Sequence, residues 1–142
     1  MNTDIILDAS IIVALYLPEE YSSWAQDTVN AHRLPHILDL TMYEVFNALW
    51  KASLRKKMPV KITRTVLTSA KKFMKDLCRI HSYEEVIDIA FNLSLKHGIT
   101  VYDASYLALA KKLGLKLATL DKELKEKLKN TELAKMIESP FP

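Results

Sequence analysis

The chain is poor in glycine, with only Gly98 and Gly114 in 142 residues. Phosphate-cradling loops and dinucleotide fingerprints need several closely spaced glycines so that backbone can approach a phosphate, and two distant ones build neither. Cysteine is rarer still. Cys78 stands alone, which excludes an internal disulfide and a cysteine metal cluster and reads as a small buried hydrophobe. Glutamine occurs once, at Gln26, beside abundant Lys and Glu, a balance that leans weakly toward a heat-adapted source. No apolar run reaches the ~18–20 residues that span a bilayer. No basic segment followed by a long apolar one opens the chain, so the expectation is a soluble, cytoplasmic protein without a membrane partner. His32, His36, His81 and His97 are scattered and read as structural or solvated, which leaves no zinc set.

What is present suits a globular domain. The composition is 49% hydrophobic and 26% charged, enough to bury a core, and the length fits a single domain over residues 1–142. A net charge of +3 permits an acidic partner such as nucleic acid without requiring one. Asp4-Ile5-Ile6-Leu7-Asp8 is a short apolar run closed by a carboxylate, the pattern of a central strand buried on both faces. Ser10 is placed to cap a helix over 11–17, stopped by Pro18, and Ser22 or Ser23 a second one to Ala31. Pro35 to Leu40 reads as a strand, and Thr41 opens a long helix that ends near Lys57.

A helix over about 62–77 is expected to face inward with Leu67, Ala70, Phe73, Met74 and Leu77. Cys78 to His81 fits a short strand. Ser82-Tyr83-Glu84-Glu85 has the form of a capping box and starts a helix closed by Gly98. Thr100 to Asp103 leads into a helix from Ala104 to Leu113, closed by Gly114. Lys116 to Leu120 is a strand, Lys122 to Lys129 a helix, and Lys135 to Glu138 a candidate edge strand. Strands alternating with helices imply an α/β fold with a mainly parallel sheet covered on both faces.

In such sheets ligands bind beyond the carboxyl ends of the strands. Four carboxylates fall at strand ends or helix starts: Asp8, Glu44, Asp103 and Asp121. Each has a local explanation, since Asp8, Asp103 and Asp121 can cap helices and Thr41-x-x-Glu44 has capping-box spacing. Capping alone does not require acids at all four places, because Ser, Thr and Asn cap as well. Carboxylates sharing a pocket repel one another unless a cation joins them. Mg²⁺ or Mn²⁺ meets that need with oxygen ligands and supports phosphodiester hydrolysis. Ser10 and Thr119 flank the acids as candidates to bind a metal's water or orient a carboxylate, with a helix cap and a strand residue as the alternatives. Lys51, Arg55, Lys56, Lys57, Lys61 and Arg64 cluster at one interhelical turn, as a solvated face or a nucleic-acid backbone patch.

These residues resemble a known family. Leu7-Asp8-Ala9-Ser10, Tyr43-Glu44-Val45-Phe46-Asn47-Ala48-Leu49, Thr100-Val101-Tyr102-Asp103-Ala104-Ser105-Tyr106-Leu107-Ala108-Leu109-Ala110 and Ala118-Thr119-Leu120-Asp121 are similar, in order and spacing, to the motifs of PIN-domain nucleases. The resemblance is greatest to the VapC-type toxin ribonucleases of type II toxin–antitoxin systems. It implies a three-layer α/β/α sandwich around a five-stranded sheet. It also implies Mg²⁺ or Mn²⁺ held by Asp8, Glu44, Asp103 and Asp121, cleavage of RNA, a homodimer and a cognate antitoxin. The alternatives are a non-catalytic or housekeeping RNA-binding protein of the same fold, and a phosphotransferase using a strand-end Asp. The latter carries Asp-x-Asp, whereas this chain has Asp8-Ala9-Ser10.

Overall fold

A computed structural model describes residues 3–142. Five strands, β1 (Ile5–Leu7), β2 (Pro35–Leu38), β3 (Arg79–His81), β4 (Leu117–Ala118) and β5 (Ile137–Glu138), form one sheet in the order β3-β2-β1-β4-β5. Every adjacent pair is parallel. The helices are α1 (Ala9–Tyr16), α2 (Ser22–Ala31), α3 (Asp39–Arg55), α4 (Val60–Leu77), α5 (Ile87–His97), α6 (Val101–Leu113) and α7 (Lys122–Leu128). Single 3-10 turns lie at Tyr83–Glu85 and Ala134–Met136. Among the described residues no helix is long and apolar enough to cross a membrane.

Period-two alternation divides the strand side chains between two cores. Ile5, Leu7, Ile37 and Ala118 pack with Ile11, Ile12, Val45, Leu49, Ala70 and Met74 of α1, α3 and α4. Ile6, Leu38 and Leu117 face the other way, toward Ala90, Leu93, Leu107 and Leu128 of α5, α6 and α7. This is the three-layer α/β/α sandwich. Both faces of the central strand are covered, which is why β1 is apolar at every position. Truncating one of these fully buried side chains, Ile6→Ala for instance, costs about 2–5 kcal/mol by loss of transfer energy and creation of a cavity.

The chain runs outward from β1 through β2 to β3, then returns to place β4 and β5 on the opposite side of β1. The reversal opens a crevice between the carboxyl ends of β1 and β4, the topological switch point where parallel sheets bind ligands. Asp8 follows β1 and Asp121 follows β4.

Local details depart from the sequence reading in informative ways. Asp8, not Ser10, caps α1 by accepting the Ser10 N–H at 3.0 Å. Helix α3 starts at Asp39, so Glu44 sits in its second turn and forms no capping box with Thr41. Thr41 instead returns its hydroxyl to accept the Leu38 N–H at 3.0 Å. Helix α6 starts at Val101 with Thr100 as its cap, accepting the Asp103 N–H at 3.1 Å, so Asp103 lies inside the first turn and caps nothing. In α4 the inward stripe holds through Ala70, Phe73 and Met74 but runs off the packed surface at Leu77, which is 60% exposed. The Ser82–Glu85 capping box forms, around a 3-10 turn, and Gly98 closes α5 in the left-handed region at φ 66°.

His36 and His81, scattered in sequence, stack as a buried pair with His36 Nδ1 2.8 Å from His81 Nε2. His36 Nε2 reaches Asp4 at 2.9 Å and His81 Nδ1 reaches Glu85 at 3.1 Å. Arg33 closes on Asp4 at 2.9 Å and Lys112 on Glu85 at 3.4 Å. The result is an ionic and hydrogen-bonded chain across β1, β2 and β3. Cys78 is partly buried, and desolvation pushes its thiol up to about 12, which makes it unreactive.

Candidate active site

Asp8 ends β1 and turns its carboxylate over the start of α1. Its Oδ1 accepts from the Ser10 N–H and hydroxyl, and its Oδ2 accepts from the Thr119 hydroxyl. Both hydroxyls are directed by backbone. Ser10 Oγ accepts the Leu120 N–H at 2.9 Å, and Thr119 Oγ1 accepts the Asp121 N–H at 3.0 Å. With their acceptor sides occupied, each points its single proton at Asp8. The loop after β4 therefore grips the residue after β1, across 111 positions of sequence. Asp121 caps α7 by accepting the Leu124 N–H at 2.9 Å.

Glu44 is carried on α3, with its Oε1 accepting the Tyr106 hydroxyl at 2.6 Å. The Tyr106 hydroxyl also lies 2.7 Å from Thr41 Oγ1. Neither Tyr106 nor Thr41 was singled out as a site residue by the sequence. The signal was available in one respect: Tyr106 lies three positions after Asp103, in a helix otherwise buried with small and apolar side chains, and a buried tyrosine needs a partner for its hydroxyl. Glu44 opens onto a 250 Å³ cavity lined by Leu40, Tyr43, Asn47 and Tyr102. A larger, mostly apolar groove of 470 Å³ continues from Tyr43 and Tyr102 toward Tyr83 and Val86.

Electrostatics links the four acids. Burial, with a smaller contribution from the Glu44 charge, pushes Asp8 up to about 6 despite its hydroxyl donors. Burial also raises Glu44, with the Asp103 charge adding to it. Asp103 is raised by burial and then by the Asp121 charge. Each carboxylate thus feels the next around the crevice. None of the four takes part in a salt bridge among the described residues, although the Lys127 charge partly offsets Asp103. The basic cluster, for which a solvated face and a nucleic-acid backbone patch were the two readings, lies away from Glu44. Lys51, Arg55, Lys56, Lys57, Lys61 and Arg64 are exposed around the α3–α4 turn, and eleven residues of helix place Arg55 about 16 Å along α3 from Glu44.

The donor set suits a hard divalent cation: carboxylate oxygens with hydroxyls behind them and no thiolate or imidazole. No three acidic, His or Cys side chains among the described residues are gathered as a finished cage. A cation of the Mg²⁺ type does not need one, because it keeps several waters and uses one or two carboxylates directly. Burial is the main cause that raises Asp8, Glu44 and Asp103, and the charge of a neighbouring carboxylate adds to it in each case, a contribution that a cation would relieve.

A family model described as PIN domain matches residues 5–129. The chain is 49% identical over 123 residues to Ribonuclease VapC3 of Pyrobaculum aerophilum, covering 87% of this chain and 93% of that protein. It is 32% identical over 131 residues to Exonuclease VapC9 of the same organism, covering 91% and 89%. Among solved structures, a toxin–antitoxin complex from Klebsiella pneumoniae superposes with a TM-score of 0.64 at 17% identity, covering 96% of this chain and 98% of that one, a likeness of fold.

Proposed function

The chain belongs to the PIN-domain family, and from that premise we propose that it is a Mg²⁺- or Mn²⁺-dependent endoribonuclease, the toxin of a toxin–antitoxin pair, built as one domain over residues 1–142. One observation supports the reading: Asp8, Glu44, Asp103 and Asp121 come from four separate segments, the charge of Glu44 acts on Asp8, that of Asp103 on Glu44 and that of Asp121 on Asp103, and none of the four is in a salt bridge among the described residues. The similarity to Ribonuclease VapC3 supports RNA as the substrate. In this reading Asp8, Glu44 and Asp103 hold the cation, and Asp121 completes the site or serves a second ion. When bound, the cation activates a water and neutralises charge developing on the phosphoryl oxygens. The residues of the chain do the positioning. Ser10 and Thr119 aim Asp8, and Tyr106 holds Glu44. Asp103 in the first turn of α6 and Asp121 at the cap of α7 sit where helix N-termini favour ionised carboxylates, and both would add negative charge that attracts a cation.

The partners in this reading are RNA, a cognate antitoxin and a second copy of the chain. Exposed Trp50, Leu54, Phe91, Leu95 and Tyr102 are the kind of surface that protein partners cover. Light scattering on the isolated chain tests the homodimer, and co-purification with the product of a neighbouring small gene tests the antitoxin.

A second reading, exonucleolytic trimming, is favoured by the relative named an exonuclease. Closed circular single-stranded RNA separates the two. An endonuclease opens the circle in Mn²⁺ and stops in EDTA, while Asp8→Asn protein of unchanged circular dichroism leaves it intact. Circles that survive while linear RNA shortens establish the exonuclease. Cleavage that persists in EDTA overturns the metal dependence.

A further inference from the structure

Tyr106 is buried, 2% exposed, on a helix face that otherwise packs against the core. Its hydroxyl lies between two oxygens, Thr41 Oγ1 at 2.7 Å and Glu44 Oε1 at 2.6 Å. The direction of this short chain follows from counting protons. The Leu38 N–H donates to Thr41 Oγ1, and an ionised carboxylate only accepts. The Tyr106 proton therefore goes to Glu44, its oxygen accepts the Thr41 proton, and each donor is used once. Leu38 is the last residue of β2, so the chain ties Glu44 to the rigid sheet through two buried hydroxyls. One carboxylate oxygen of a flexible, rotamer-rich side chain is thereby fixed, while Oε2 has no hydrogen-bond partner among the described residues.

We infer that Tyr106, backed by Thr41, is a positioning residue that holds Glu44 with Oε1 occupied and Oε2 presented to the divalent cation. The inference rests on the metal-centre reading above. The bland alternative is that Tyr106 merely staples α3 to α6, which lowers stability when removed but leaves cation affinity alone. Supporting groups one step behind metal ligands typically contribute about 10–100-fold in affinity or activity, and that range sets the expected effect.

The test is Mn²⁺ affinity, read from free Mn²⁺ by electron paramagnetic resonance, beside thermal unfolding of the same metal-free samples. Tyr106→Phe keeps the ring and is expected to weaken Mn²⁺ binding about 10–100-fold. Thr41→Val is expected to weaken it in the same direction by less, and Thr41→Ser to restore it. In a Glu44→Gln background, Tyr106→Phe is expected to cost no further affinity, because its effect passes through Glu44. Wild-type protein that takes up no Mn²⁺ at millimolar metal overturns the metal-centre reading and this inference together. Wild-type binding with an unchanged affinity in Tyr106→Phe, or an undiminished loss in the Glu44→Gln background, overturns the positioning role alone. Should Tyr106→Phe fail to fold, the Thr41→Val and Thr41→Ser pair decides: equal affinities overturn the role, and a loss restored by serine supports it.

Discussion

Asp4 and Asp8 bracket the same three-residue strand and are held in opposite ways. Asp4, at the amino end of β1, meets Arg33 and His36, and those partners lower its carboxyl to about 2. Asp8, at the carboxyl end, meets only hydroxyls and backbone, and burial pushes it up to about 6. The amino end is a closed network whose charges are answered inside the protein, from Arg33 through the two histidines to Lys112. The carboxyl end is left open. Ser10, Thr119 and Tyr106 orient carboxylates without neutralising them, so the acids at this end have no ion-pair partner among the described residues, and in the proposed reading a cation from outside answers their charge. A lysine or arginine in any of those places would settle the charge and occupy the site.

The contrast can be broken most severely at Asp8. Asp8→Asn removes one ligand charge while keeping an acceptor for the α1 cap, and RNA cleavage is expected to fall by more than about a hundredfold, above the range seen for supporting groups. Removing a supporting hydroxyl should do less. Thr119→Val is expected to slow cleavage about tenfold or somewhat more and to raise the Asp8 carboxyl further, because a donor to its ionised form is lost.

Stability should move the other way. A carboxyl raised in the folded state favours folding below its unfolded value near 4, and that advantage is lost as pH rises to about 6. Metal-free wild type should therefore lose stability between those limits, by up to about 3 kcal/mol for a shift of this size. Asp8→Asn should lack that slope and melt higher than wild type at pH 7. Asp4 is the control with the opposite sign. Its lowered carboxyl favours folding above its unfolded value, and this is lost as pH falls from near 4 to about 2. Asp4→Asn should lower the melting temperature at pH 7, converge with wild type in acid, and leave RNA cleavage nearly unchanged.

The two ends also differ in how much of them the sequence revealed. The places of Asp8 and Asp121 after β1 and β4 and of Asp103 in the first turn of α6 were legible to within a few residues, whereas Glu44 was expected in the first turn of α3 and lies in its second. Apolar runs, Gly98 and Gly114 mark those junctions within a few residues. Strand β1 was legible from its apolar run, and the candidate edge strand Lys135 to Glu138 is present as β5, whose place beside β4 the sequence did not give. What stayed hidden was contact across the chain. His36 and His81 lie 45 residues apart and Thr41 and Tyr106 lie 65 apart, with no spacing rule to join them. Local chemistry also misled where two residues compete for one task. Ser10 has the side chain of a cap, but Asp8 reaches the same N–H groups, which frees the Ser10 hydroxyl to bridge Asp8 and Leu120. Thr41 and Glu44 have capping-box spacing, but α3 begins two residues earlier, and Glu44 turns to Tyr106 instead.

The most direct measurement of the central contrast is a ¹³C NMR titration of the aspartate carboxyls, run with and without Mg²⁺ and assigned with Asp4→Asn and Asp8→Asn. The account predicts that Asp8 titrates near 6 in metal-free protein and drops well below its usual value in Mg²⁺, while Asp4 stays near 2 in both. An Asp8 that titrates like an ordinary aspartate and does not respond to Mg²⁺ would contradict it.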